Sequence, residues 1–317
     1  MAAQNLKMGT TEWVLLLTLS VLWGGAFVFA EIALEQLPPL TIVLARVGIG
    51  ALALAGLLQL LRKPLPTSLA TWRKLYCLAF LNNVVPFSLI VWGQSSISAG
   101  LASILNATTP LFAVIFAHVL TRDERLQPNK VLGVVVGVIG VGVLVGPDAL
   151  ADRSRGLLGQ LAVLAAAVSY GLSAVYARRL AGVPPLSIAT GQLIASTTMM
   201  VPLAILIDRP WQLTAPSAEV WWALVGLAVL STALAYILYF QIIARAGGTN
   251  GALVTLLIPI SAMCLGALML GETVTMAELI GASIIGIALL AIDGRLPQLI
   301  RDMLGARRLR NSTPDVR

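Results

Sequence analysis

Ten apolar runs of about twenty residues, joined by short connections, constrain this 317-residue chain more than any other feature. A helix of that length crosses the apolar core of a bilayer, about 30 Å thick. Within lipid every backbone N–H and C=O must find its partner inside the spanning structure, which favours helices. The runs cover about 13–32, 39–61, 75–95, 99–120, 129–147, 157–177, 185–207, 220–243, 249–271 and 276–294. No soluble domain fits between them. The expected fold class is an all-α integral membrane protein with ten transmembrane helices. Composition agrees, because 11% of the residues are charged against about 25% in a soluble domain.

The net charge of +7 does not point to nucleic acid, since the basic residues do not interleave with aromatics on a polar face. They cluster between the apolar runs instead. With the N-terminus in the cytoplasm, the inner segments hold seventeen of the 21 Lys and Arg residues, and the outer segments hold Arg153, Arg155 and Arg209. Arg46 lies within a span. Positive charge stays inside, so both termini are expected in the cytoplasm, with a basic tail at 295–317. The predicted location is the plasma membrane, a bacterial-type inner membrane. The first run is longer than the 7–15 apolar residues usual in a signal peptide, so a retained helix is expected. Cys77 and Cys264 fall in apolar runs and suggest neither a disulfide nor a metal site.

The chain also repeats itself. A shift of 146 carries Pro38-Pro39-Leu40 onto Pro184-Pro185-Leu186, Gly25 onto Gly171 and Arg46 onto Gln192. A shift of 149 carries Ala79, Leu81 and Pro110 onto Ala228, Leu230 and Pro259, and one of 148 carries Glu124 onto Glu272. Two five-helix units result, 12–147 and 157–294. Because five is odd, the second unit enters the membrane from the opposite side, the inverted repeat found in many secondary transporters. Pro110 and Pro259 then lie near the midplane as paired helix breaks, with Pro86 a third. Proline lacks an N–H and clashes with the preceding turn, which frees the carbonyls of Asn106 and Thr255. Such backbone is tolerated in a membrane where it is buried in protein or faces a wet cavity. Both readings stand, a packing kink or a cavity wall, and the symmetric pairing favours the cavity.

At these residues the chain resembles the drug/metabolite transporter superfamily, in particular its ten-helix EamA-type exporters. The resemblance rests on the paired segments PLFAVIFAHVLTRDE and PISAMCLGALMLGE, on RAGGTNGALVTLLIP, and on LARVGIGALAL in the second span. It covers about 13–294. The first half carries TRDE where the second has a compact GE. The resemblance implies transport of small solutes such as amino acids or nucleotide-linked metabolites, often outward. It also implies spans 5 and 10 at the periphery and a substrate cavity among the others.

Candidate site residues follow from cost. Arg46 is the charged side chain deepest in a span; it either binds a substrate carboxylate or phosphate through paired hydrogen bonds, or snorkels or pins neighbouring helices. Asn82 and Asn83, with counterparts Ser231 and Thr232, lie just before Pro86. Asn106 and Thr109 flank the break in span 4, opposite Thr255, and Gln192 is the counterpart of Arg46. These polar groups serve either as interhelical bonds or as a polar lining. Trp23, Tyr170, Tyr236 and Tyr239 lie within spans rather than at the interface, where their rings suit packing or a small amphipathic ligand. Glu31, near the outer end of span 1, is a possible coupling site. Glu124 and Glu272 occupy turns, where TMAE at 275–278 makes a capping box. Gly133 and Gly137 make a small-residue face, and the lone His118 suits an interface better than a proton relay.

No acidic residue lies deep in a span, which argues against polyvalent cationic drugs and for neutral, zwitterionic or anionic solutes. An enzyme is not expected: GLSA at 171–174 has only His118 as a base, and HExxH is absent. No cofactor or metal is expected. The expected function is secondary transport, export of small metabolites such as amino acids by alternating access. The alternatives are a passive channel or another solute class, nucleotide-linked metabolites or drugs. The partners are a small-molecule substrate and the lipid bilayer, and both a monomer and a homodimer fit.

Overall fold

The computed structural model describes residues 9–121, 128–151 and 155–292. The basic tail at 295–317 and the turn bearing Glu124 lie outside them. Among the described residues the chain is helical, without strands. In order these are α1 (Thr10–Leu34), α2 (Pro39–Leu60), α3 (Leu69–Ala79), a π-helical segment (Phe80–Val84), α4 (Val85–Gln94), α5 (Ala99–Asn106), α6 (Thr109–Leu120) and α7 (Pro128–Ala151). The second half holds α8 (Arg155–Ala177), α9 (Pro185–Ile207), α10 (Ala218–Val225), a second π-helical segment (Gly226–Leu234), α11 (Ala235–Gly251), α12 (Val254–Met269) and α13 (Met276–Ile292). Seven uninterrupted or joined helices are long and apolar enough to cross a membrane, and three shorter apolar helices accompany them. Leu52, Leu206, Trp222 and Leu268 point outward, each at least 74% exposed, an apolar surface suited to lipid rather than water.

Local chemistry sets the helix starts. Pro38 and Pro184 are extended, and Pro39 and Pro185 open α2 and α9, a position where a missing N–H costs nothing. Ser98 Oγ accepts from Leu101 N at the start of α5. The capping box forms: Thr275 N donates to Glu278 Oε2 at 2.7 Å and Glu278 N to Thr275 Oγ1 at 3.2 Å. Glu272 does more than shape its own turn. Its carboxylate accepts from Ala99 N at 2.6 Å and Gly100 N at 3.2 Å, neutralising the positive end of α5 from the other half of the chain.

Packing follows a regular exchange of partners. α1 packs on α12, α8 on α5 and α6, α2 on α9, and α7 on α13. Two glycines allow matching close approaches to a neighbouring backbone. A Cβ on Gly24 would lie 2.8 Å from Ala262 N, and one on Gly171 would lie 2.8 Å from Ala113 N. Ala113 and Ala262 differ by 149, so packing pairs Gly171 with Gly24 rather than with Gly25. The expected register slips by one residue there, because only the residue facing the neighbouring backbone must lack a side chain. The expected Gly133 and Gly137 face divides: Gly133 approaches Ala288 of α13, while Gly137 meets Leu111 of α6.

The proline breaks also differ from expectation. Pro110 is the second residue of α6, after a true turn at Ala107 and Thr108. Pro259 sits inside a continuous α12, and the turn in this half falls upstream at Ala252 and Leu253. Threonine hydroxyls close both turns, Thr109 Oγ1 on Asn106 O at 2.8 Å and Thr255 Oγ1 on Ala252 O at 2.7 Å. In the second half the turn and the proline therefore do not coincide, and Pro259 removes one helical bond early in α12. Pro86 does not break its helix. It follows the π segment, in which Val85 N donates to Phe80 O. A proline cannot donate, so the wider turn leaves Leu81 O for Ser169 Oγ, which donates to it at 2.7 Å.

Candidate functional site

Arg46 and Gln192 are each the eighth residue of their helices, α2 and α9. At 1.5 Å per residue both lie about 11 Å along. Each reaches the π segment of the other half. Arg46 Nε donates to Thr232 Oγ1 at 3.0 Å, and Asn82 Nδ2 donates to Gln192 Oε1 at 3.3 Å. A π turn places one extra residue in the helical turn and often marks functional sites. Here it turns consecutive polar residues, Asn82-Asn83 and Ser231-Thr232, toward the interior.

Around this crossing lies a connected polar network. Asn83, 0% exposed, donates to Ser196 Oγ at 2.9 Å and accepts from Tyr236 Oη at 3.2 Å. Asn82 Oδ1 accepts from Ser173 Oγ at 3.0 Å, and Asn82 Nδ2 also reaches Tyr236 Oη at 3.3 Å. Thr232 Oγ1 donates to Leu227 O at 2.8 Å, five residues back, a bond the π turn makes available.

Arg46 does not snorkel. It is 8% exposed, and its guanidinium lies over Phe87, 3.6 Å from the ring centroid, an attractive cation–π contact. Tyr170 meets the edge of the same ring, with centroids 6.5 Å apart. Among the described residues no carboxylate lies within ion-pair distance of Arg46; elsewhere Arg245 pairs with Glu12 at 3.9 Å.

Of the expected residues, the structure joins Arg46, Asn82, Asn83, Tyr170, Gln192 and Tyr236 into one site. Trp23 and Tyr239 connect to it through a chain of ring contacts: Trp23 to Tyr239 at 5.2 Å, Tyr239 to Phe240 at 5.9 Å, and Phe240 to Tyr236 at 6.2 Å. Asn106, Thr109 and Thr255 stay at the helix turns, and no described hydrogen bond links them to the network. Asn106 Oδ1 is buried without a partner among the described residues. Glu31 accepts from Gln94 Nε2 at 3.2 Å near the end of α1, also apart from the network. Among the described residues no cluster could hold a metal ion.

The sequence reading missed Phe87, Ser169, Ser173 and Ser196. A periodic signal is present for two of them, since Ser196 follows Gln192 by four residues and Ser173 follows Tyr170 by three, the spacings that share a helix face. Phe87 carries none, being one aromatic in an apolar run.

The chain as a whole is similar to known membrane transporters. The model of the EamA-like transporter family matches the chain twice, at residues 11–146 and 157–292. An uncharacterized transporter of Bacillus subtilis, YoaV, is 24% identical over 85% of this chain and 92% of its own length. A probable amino-acid metabolite efflux pump of Escherichia coli is 26% identical, over 88% of this chain and 93% of its own. A probable terminal-alkyne amino-acid exporter of Streptantibioticus cattleyicolor is 27% identical over 89% and 93%. A crystal structure at 22% identity shares the fold, with a TM-score of 0.62 over 89% of this chain and 97% of that one.

Proposed function

This chain belongs to the EamA-like transporter family, and from that premise we propose that it is a secondary carrier exporting small metabolites such as amino acids by alternating access. The observation that carries the reading is the buried crossing of α2 and α9, where Arg46 and Gln192 each bond the π segment of the opposite half. A site built equally from two halves changes its exposure when one half tilts against the other.

Several features support ten spans arranged as two inverted repeats, 12–147 and 157–294, with both termini cytoplasmic. The family model matches once in each half. Helix partners exchange between halves, α1 with α12 against α8 with α6. The close approach at Gly24, on Ser261 and Ala262, matches that at Gly171, on Phe112 and Ala113, each contact displaced by 149. The two π segments overlap under the same shift. The positive-inside bias of the sequence supports this orientation.

In this reading Arg46, Asn82, Asn83, Gln192 and Tyr236 orient the substrate. Tyr170 and the Trp23–Tyr239 pair wall the path, and Asn106, Thr109 and Thr255 border it at the turns. Glu31 remains the candidate for coupling. The substrate class draws support from the efflux relatives of E. coli and S. cattleyicolor. The test is mass spectrometry of the medium around cells overproducing the wild type or Arg46→Ala at matched membrane levels. Small metabolites that accumulate only with the wild type are the expected result. Identical media would withdraw the export assignment, and uptake into proteoliposomes would then decide direction.

A further inference from the structure

We propose that the preferred substrate is a carboxylate without a free α-ammonium group, such as an N-acylated amino acid or a 2-oxo acid, held by Arg46. The inference rests on the transport reading above and, within its class of small metabolites, favours derivatives of amino acids over the free zwitterions.

A charge buried within a membrane is expensive unless it is paired. Arg46 has no acidic partner among the described residues, and its protein bond is made by Nε alone. Phe87 covers one face of the guanidinium. Thr232 occupies the Nε corner, so the edge formed by Nη1 and Nη2 is left for a ligand. That edge matches the two oxygens of a carboxylate and binds it through parallel hydrogen bonds. Ser231 Oγ, beside Thr232 on the π segment, is buried without a partner among the described residues. A hydroxyl can donate to an anion as well.

The same site offers an ammonium group little. Its amide oxygens carry no net charge and each already accepts at least one hydrogen bond, Asn82 Oδ1 from Ser173, Asn83 Oδ1 from Tyr236 and Gln192 Oε1 from Asn82, which leaves at most one lone pair apiece. Among the described residues no carboxylate joins the network. In an α-amino acid the ammonium nitrogen is two bonds from the carboxylate carbon, within about 3 Å of its oxygens. It would therefore be held close to Arg46, facing a like charge with no anion to offset it. Acylation or oxidation to the 2-oxo acid removes that charge and leaves the carboxylate intact.

The test is thermal unfolding of the purified full-length protein with alanine, leucine and phenylalanine, each beside its N-acetyl derivative and its 2-oxo acid at equal concentration. At least one derivative is expected to raise the midpoint by about 2 °C or more over its parent amino acid, through preferential binding to the folded state. Arg46→Gln should abolish the difference. Arg46→Lys, which keeps the charge without the planar fork, should keep the order of the probes with smaller shifts. A parent amino acid that stabilises as well as its derivatives would overturn the inference. So would shifts undiminished in either variant, or no shift with any of the nine probes. The transport reading is decided separately: Arg46-dependent export of zwitterionic amino acids would retain it and sink the charge preference.

Discussion

The two π segments do the same geometric work with different chemistry. In the first half, Asn82 and Asn83 meet Gln192, Ser196, Ser173 and Tyr236, neutral groups that satisfy one another. In the second, Thr232 meets Arg46, a cation whose remaining N–H groups find no acceptor among the described residues. One side of the crossing is complete, and the other is open to an anion. In the proposed carrier, matched frameworks would let the two halves move alike, while unlike chemistry would let the site fix which end of a ligand lies where. A fully symmetric site would bind a small solute in either of two directions.

Experiments can break this asymmetry, beginning with its charged side. Arg46→Gln makes positions 46 and 192 chemically alike, and export should fall by about tenfold or more, since charge-assisted hydrogen bonds contribute about 1.5–3 kcal/mol each. Retained export with normal membrane levels would remove Arg46 from the site. On the neutral side, Asn83→Ala strips partners from Ser196 and Tyr236 in a fully buried setting. A loss of about 1–3 kcal/mol should appear in thermal or denaturant unfolding; an unchanged midpoint would mean that water replaces the amide. Gly24→Val and Gly171→Val each force a side chain against a neighbouring backbone, and the repeat predicts similar losses of about 1–3 kcal/mol. Clearly unequal losses would mean that the two crossings are not equivalent. The smallest effect is expected for Pro259→Ala, which restores a single helical bond within α12 and should change export less than about twofold. A large drop would make that proline part of the moving machinery.

How far the sequence carries the site depends on the kind of signal. Charge and amide side chains in apolar runs are costly, so Arg46, Asn82, Asn83 and Gln192 stand out in the sequence alone. Thr109 and Thr255 stand out for the same reason but bond local backbone at helix turns, because a hydroxyl can satisfy local backbone as readily as a ligand, while Asn106 lies at such a turn with its Oδ1 unpartnered among the described residues. The π segments leave no such mark. Their residues, FLNNV and GLAVLSTAL, contain nothing that excludes an ordinary helix, and only the tertiary partners of Leu81, Thr232 and Asn83 favour the wider turn. The expected break at Pro259 does not form: α12 runs on through the proline, which removes a single helical bond, and the turn lies upstream at Ala252 and Leu253.

The sequence by itself determined that this protein is helical and belongs in a membrane, because hydrocarbon admits no unpaired backbone and the apolar runs have the length to match. It also determined which side chains are too polar to face lipid. Only the tertiary structure decided that Arg46 and Gln192 cross to opposite halves, that Phe87 covers the guanidinium and that no carboxylate among the described residues neutralises it. Those are contacts between residues far apart in the chain, such as Arg46 with Thr232, and neither hydropathy nor local spacing carries information about them.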